Sequence, residues 1–155
     1  VPQVSNQTVN ISVYPQLIRT YNNHETIMCR FIPACQWLLF SSQEQQRFLQ
    51  QAYRISSESD RMGFRLQGEK LNTYSDGIIS EGIALGAIQV PPDGQPIVLM
   101  RDRQTIGGYP KLGTVLSTDI EKIAQAMPGQ KVSFELADIQ TAYQERLQRE
   151  QFFSL

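Results

Sequence analysis

The stretch GAIQVPPDGQPIVLMRDRQTIGGYPK, from Gly86 to Lys111, decides the fold. It gathers Gly86, Gly94, Gly107 and Gly108 from the chain's 10 glycines, and Pro91, Pro92, Pro96 and Pro110 from its 8 prolines. Residues 84–90 are apolar enough for a strand. Pro92-Asp93-Gly94 supplies a turn in which proline presets φ and glycine is free to take a positive one. Residues 97–100 form a short apolar run that suits a buried strand, so the spacing predicts a hairpin. Behind it, Arg101-Asp102-Arg103-Gln104-Thr105 runs into Gly107-Gly108-Tyr109-Pro110-Lys111. Paired glycines there let backbone amides approach a ligand closely and offer an anion nest. The segment reads as a binding loop at a strand end.

Upstream of the hairpin, residues 1–25 are polar and asparagine-rich, with an alternating strand pattern only over 9–14. Residues 26–32 predict a strand ended by Pro33. Ser42-Gln43-Glu44-Gln45 resembles a capping box opening a glutamine-rich helix through 52. An extended segment over 53–56, a turn at Ser57-Glu58-Ser59-Asp60 and a strand over 62–66 follow. Gly68, Asn72, Asp76-Gly77 and a polar turn at Ser80-Glu81-Gly82 punctuate the approach to the hairpin. Downstream, residues 112–116 predict a short strand, and Thr118-Asp119-Ile120-Glu121 a capped helix through 126. Pro128-Gly129 makes a turn, 131–136 alternates strictly as a half-buried strand, and a helix from Asp138 lines up Ile139, Ala142, Tyr143 and Leu147 on one face. Many short strands, Gly/Pro turns and three short helices predict a mainly β barrel or sandwich-like domain.

At 155 residues and 41% hydrophobic, the chain supports a single domain over 1–155. Its 14 basic and 15 acidic residues leave a net charge of −1, which gives no footprint for nucleic acid or an anionic membrane. No apolar run reaches the roughly 20 residues of a membrane span, and the start is not that of a secretory signal, so a cytoplasmic protein is expected. Cys29 and Cys35, with only His24 nearby, cannot assemble a four-ligand metal site, and they read as reduced, buried thiols. His24 reads as a surface-loop residue.

The strings Ser59-Asp60-Arg61-Met62-Gly63-Phe64-Arg65-Leu66, Ser80-Glu81-Gly82, the 86–96 block and Asp102-Arg103-Gln104-Thr105 through Gly107-Gly108-Tyr109-Pro110-Lys111 occur in one order over 59–111. Together they resemble the family of the C subunit of bacterial ATP-dependent 5-oxoprolinase, also called allophanate hydrolase subunit 2, KipA, or biotin-dependent carboxyltransferase-like. The resemblance implies a cyclophilin-like β-barrel and a chain that is the C-terminal part of a longer polypeptide, inactive alone. It implies partnership with a KipI-like B subunit, together with an A subunit, in hydrolytic ring opening of 5-oxoproline to glutamate. In that reaction ATP is used by the complex, and no cofactor is bound by this chain. Two alternatives come with it. One is a KipA-type regulatory module that binds and antagonises a KipI-like histidine kinase inhibitor. The other is a carboxyltransferase-type domain related to urea carboxylase, the only reading in which biotin enters. A prolyl isomerase is suggested only by fold analogy and by an arginine and glutamines near a barrel face. The chain departs from the family at Pro33-Ala34-Cys35-Gln36, where Pro-Gly-Pro-Gln is usual, and at Thr105-Ile106, where two threonines are usual.

No Gly-x-Ser-x-Gly, Walker loop or His-based triad is present. What remains suits anions and amides. Arg61 and Arg103 can make bidentate contacts to a carboxylate or phosphate, and Lys111 adds a point charge. Gln89, Gln95 and Gln104 can read an amide or lactam, and 5-oxoproline is a lactam bearing a carboxylate. Thr105, Gly107, Gly108 and Tyr109 complete the expected substrate-binding set. Asp60 and Glu81 are candidates for an acid or base, each with a turn-capping reading beside it, and Asp102 shares that local reading. Arg65 reads as a solvated or interface-facing strand residue.

Overall fold

The computed structural model describes residues 26–73 and 78–153. The expected strand over 9–14, the loop at His24 and the Asp76-Gly77 turn lie outside the described residues.

Seven strands close into a barrel. They are β1 (Ile27–Pro33), β2 (Tyr53–Ile55), β3 (Gly63–Gln67), β5 (Ala87–Gln89), β6 (Ile97–Leu99), β8 (Lys111–Val115) and β9 (Lys131–Leu136), in the spatial order β1-β8-β5-β6-β3-β2-β9. Two further short strands, β4 (Glu81–Gly82) and β7 (Ile106–Gly107), pair with each other as a separate ribbon. Closure comes from β9, which runs parallel to β1 from Ile27↔Val132 to Phe31↔Leu136 and antiparallel to β2. The other barrel pairs are antiparallel. The fold is the mainly β barrel that the resemblance implied.

The 86–111 hairpin forms as β5 and β6, with Ile88 opposite Val98. Gly94 N donates to Pro91 O at 2.9 Å and closes the turn at φ +77°. The first strand is shorter than expected because the chain turns at Gly86, where φ is +82° and Ala87 N donates to Ala84 O at 3.2 Å. Ser80-Glu81-Gly82, expected as a turn, supplies β4.

Alternation sets two faces on each strand. Ile88, Val98, Leu66, Phe31 and Phe134 point into the barrel and are buried. Phe48, on α1 (Ser42–Gln50), plugs the interior: its ring stacks on Phe134 at 4.9 Å between centroids and meets Phe31 at 5.5 Å and Tyr53 at 5.6 Å. Each such buried ring contributes roughly 1.5–3 kcal/mol by burial. Ser41 caps α1 by accepting Glu44 N at 3.3 Å, so the cap sits one residue earlier than the sequence suggested, and the Glu44 carboxylate turns instead to Arg47 and Asn72. After β1 a 3₁₀ turn, Cys35–Leu39, folds Trp37 against Phe31. Cys29 is buried and Cys35 exposed, both as free thiols.

The expected capping box at Thr118-Asp119-Ile120-Glu121 does not form. Helix α2 (Ser117–Ala124) has Leu116 at its N-cap with no side-chain bond. Asp119 is committed elsewhere: it accepts from Arg30 N at 2.9 Å, Arg30 Nε at 2.9 Å and Arg30 Nη2 at 3.0 Å, and pairs with Lys122 at 2.9 Å. Burial alone would raise its pKa, but these bonds outweigh it and hold the carboxyl at about 2. Arg30 also reaches Glu145 on α3 (Ile139–Phe153), which Asp138 caps by accepting Thr141 N at 3.0 Å. The apolar face expected on this helix is largely uncovered, with Ile139 at 65% and Tyr143 at 61% exposure, because ion pairs rather than that face tie α3 to the barrel. No helix among the described residues is long and apolar enough to cross a membrane.

Gly113 marks the tightest point of the wall, since an added Cβ would run into the Ile32 carbonyl and the Phe31 ring, whereas one at Gly82 meets nothing within 4 Å. Gly113→Ala is therefore expected to lower the urea-unfolding free energy by about 1–3 kcal/mol through overpacking, and Gly82→Ala to stay within about 0.5 kcal/mol of wild type.

Acid should weaken the fold through Asp119. A carboxyl depressed from 3.8 to about 2 adds stability that is full above the unfolded value and is lost as pH falls through the folded one. Urea titrations should show about 2 kcal/mol of stability lost through this group between roughly pH 4 and pH 2, a slope that Asp119→Asn flattens.

Candidate functional site

The hairpin's outer face carries the site. Residues alternating with the inward-facing ones, Gly63 and Arg65 on β3, Ile97 and Leu99 on β6 and Gln89 on β5, face away from the barrel interior and line an open cleft of about 500 Å³. Its polar lining is Asp60, Arg65, Gln89, Asp93, Arg103, Gln104 and Tyr109, and its apolar part is Met62, Ile97, Leu99 and the two turn prolines. The structure thus brings together five of the expected site residues: Asp60, Gln89, Arg103, Gln104 and Tyr109.

Four of the five, Asp60, Gln89, Arg103 and Tyr109, are positioned by a named hydrogen bond. Gln89 is buried and its Nε2 donates to Tyr109 O at 3.4 Å. Arg103 donates from Nε to Ile83 O at 3.1 Å and from Nη1 to Met100 O at 3.4 Å, which orients the guanidinium and leaves further N–H donors at the cleft. Gly107 backs the two amides, for an added Cβ would stand 3.1 Å from Gln89 Nε2, 3.2 Å from Gln104 Nε2 and 2.6 Å from Ile83 Cδ1. Asp60 Oδ1 accepts Met62 N at 2.8 Å and Gly63 N at 3.1 Å, so this carboxylate caps the turn at the cleft mouth. Asp93 likewise accepts Gln95 N at 3.0 Å.

Other expected residues stand apart. Arg61 is highly exposed and pairs with Asp102 at 2.9 Å. Gln95 serves the main chain, donating to Gly68 O and accepting Gly68 N, both at 3.0 Å. Thr105 is exposed outside the cleft, and its carbonyl accepts Ile83 N at 3.0 Å. The double glycine is no left-handed nest: positive φ among the described glycines occurs at Gly86, Gly94 and Gly129. Gly107 lies on β7 and Gly108 beside Ile78 O, where the requirement is close packing. Lys111 is not a free point charge, because its Nζ is paired with Glu81 at 2.9 Å and donates to Gly82 O at 3.3 Å. Hydrogen bonds from Lys111, then Gln36, hold the Glu81 carboxyl below its usual range, which suits an ionised anchor better than a base.

Gln36, beside the site, is a residue that reasoning from the loop alone does not find. It is nearly buried, donates to Glu81 and accepts Lys111 N at 2.7 Å. Its signal in the sequence is the Pro33-Ala34-Cys35-Gln36 step.

Among the described residues the lining holds no serine, cysteine, histidine or lysine, and its carboxylates are engaged in turns. Chemically the cleft can bind a carboxylate through arginine and an amide through the two glutamines.

Residues 2–136 match the family model described as carboxyltransferase domain, subdomain A and B. The Escherichia coli protein named as the C subunit of 5-oxoprolinase is 37% identical over 125 residues, covering 80% of this chain and 40% of that protein. The chain thus spans two fifths of that relative's length, 40%. A putative urea carboxylase of Emericella nidulans is 26% identical over 112 residues, covering 66% of this chain and 9% of the relative. The crystal structure of TTHA0988 superposes with a TM-score of 0.62 at 30% identity, over 76% of this chain and 22% of that one.

The Glu81 anchor is open to direct measurement. In a carboxyl-carbon NMR titration Glu81 should titrate below an ordinary glutamate, and Lys111→Met should move its midpoint back up, since the larger of its two hydrogen bonds is gone.

Proposed function

Because the chain belongs to the carboxyltransferase domain, subdomain A and B, family, we propose that it is part of the C subunit of a 5-oxoprolinase and grips the substrate in the cleft on the barrel's outer face. The reaction is the ATP-dependent opening of 5-oxoproline to glutamate in the cytoplasm. The observation that carries this reading is the meeting of Arg103 with the amides of Gln89 and Gln104 in one cleft. Arginine takes the substrate carboxylate, and the two carboxamides donate to the lactam oxygen and accept its N–H. A carboxamide reads both ends of a lactam, so the ring is oriented as well as held. On this reading the KipI-like B partner and the A partner supply the groups that activate the carbonyl and use ATP. Preorganised N–H donors aimed at the lactam oxygen would also favour the oxyanion that develops when the ring opens.

A second reading is favoured by the family description and the urea carboxylase-like relative. There the cleft receives a ureido group during carboxyl transfer, and biotin, carried on another chain or segment, is the group that delivers it. The same glutamine and arginine donors fit a ureido carbonyl. Substrate-dependent assays separate the two: stimulation of ATP hydrolysis by 5-oxoproline supports the first reading, and transfer of a carboxyl from biotin without such stimulation supports the second.

With the full-length protein assembled with its partner chains, Arg103→Ala should cut kcat/KM for 5-oxoproline by roughly 10- to 100-fold, the loss expected for a hydrogen-bonded charge. Gln104→Ala should cut it by about tenfold. Arg54→Ala, whose guanidinium donates to Gly129 O at 2.9 Å and does not line the cleft, should leave it unchanged. An Arg103→Ala enzyme with wild-type kinetics would remove the cleft as the substrate site.

A further inference from the structure

Gln36 touches three parts of the structure at once. It stands in the 3₁₀ turn after β1. Its Oε1 accepts Lys111 N at 2.7 Å at the start of β8, and its Nε2 donates to Glu81 on β4. Glu81 and Lys111 Nζ close the ring at 2.9 Å, with Gly82 O taking a further bond at 3.3 Å. None of the three side chains lines the cleft.

They fix the main chain that does. The segment carrying Tyr109 is pinned at three successive residues: Gln89 Nε2 donates to Tyr109 O at 3.4 Å, Val90 N donates to Pro110 O at 2.9 Å, and Gln36 takes Lys111 N. Across the ribbon, Glu81 faces Gly107 in register, and Gly107 is where the Gln89 and Gln104 amides converge. Glu81 thus ties one side of the cleft wall to the other through Gln36.

We propose that Gln36 is a positioning residue for the cleft. By joining Glu81 to the Lys111 main chain it sets the placement of Tyr109 against the Gln89 and Gln104 amides, and so the affinity for an amide bearing a carboxylate. The inference rests on the reading of the cleft as the 5-oxoproline site. Loss of Gln36 leaves a main-chain N–H without its acceptor and frees Glu81 to follow Lys111 alone, so the wall loosens without any ligand contact being removed.

The test uses the full-length protein assembled with its partner chains, with KM and kcat for 5-oxoproline read from ATP hydrolysis and hydrogen exchange read over residues 104–111. Gln36→Ala should raise KM roughly tenfold with kcat within about twofold, and speed exchange over 104–111 but not in β1 or β9. Gln36→Glu keeps the acceptor for Lys111 N but sets a carboxylate against Glu81. Like charges raise the pKa of such a pair, so a shared proton restores the bond as pH falls. Its KM should recover toward wild type as pH falls, a recovery absent in Gln36→Ala. A role in stability alone would lower the folded yield and leave KM unmoved, and unchanged KM in both variants overturns the proposal. Should the wild-type complex show no 5-oxoproline-dependent ATP hydrolysis, the reading of function fails. Exchange still decides the positioning role then: acceleration confined to 104–111 supports it, and unchanged exchange overturns it.

Discussion

The parallel pairing of β1 with β9 is the constraint on which the rest of the structure depends. It joins the first and last strands of the barrel over the register from Ile27↔Val132 to Phe31↔Leu136. Parallel neighbours need a long connection, and here the rest of the barrel is that connection. Closure removes the two edges that an open sheet would present and encloses an interior that has to be filled. Aromatic side chains fill it. Phe31 and Phe134 come from the closing strands themselves, and Phe48 is delivered by α1 between them. Helix α1 is therefore part of the core, and its Phe48 ring occupies the interior among the described residues.

That is why the site lies outside. With every inward position apolar, the outward positions of β3, β6 and β5 are left to carry polar groups, and the loop after β6 folds back over them. The β4–β7 ribbon is too short to stand alone and is held by side chains: Glu81 and Lys111 as an ion pair, Gln36 beneath them, and Ile83 packed with Ala87 and Leu99. Most charges near the cleft are already matched to turn amides or to opposite charges, and Arg103 combines backbone anchoring with donors to spare.

Much of this was legible in the residues. The alternation of 131–136, the Pro92-Asp93-Gly94 turn and the Ile97 run are local signals, and each forms as expected. Arg103, Gln89, Gln104 and Tyr109 could be singled out because a dense polar cluster against glycines has few structural uses. What failed depended on partners distant in sequence. Asp119 reads as part of a capping box until Arg30, 89 residues away, claims its carboxylate. Gln95 resembles its two neighbours in chemistry, but Gly68 lies within its reach. Glu81 and Lys111 look like separate functional charges and are one pair. The apolar stripe of α3 has a clear helical period, yet period alone does not say that another surface covers it.

The two cysteines differ in a way that makes the rim accessible to chemistry. Burial inside the barrel pushes the Cys29 thiol up to about 12, so at neutral pH it is both shielded and protonated. Cys35 is exposed, one residue before Gln36 on the same 3₁₀ turn. A thiol-directed reagent applied to the folded chain therefore marks a single position without any engineered residue. A fluorophore or spin label attached there reports on the junction between barrel and ribbon from one residue away.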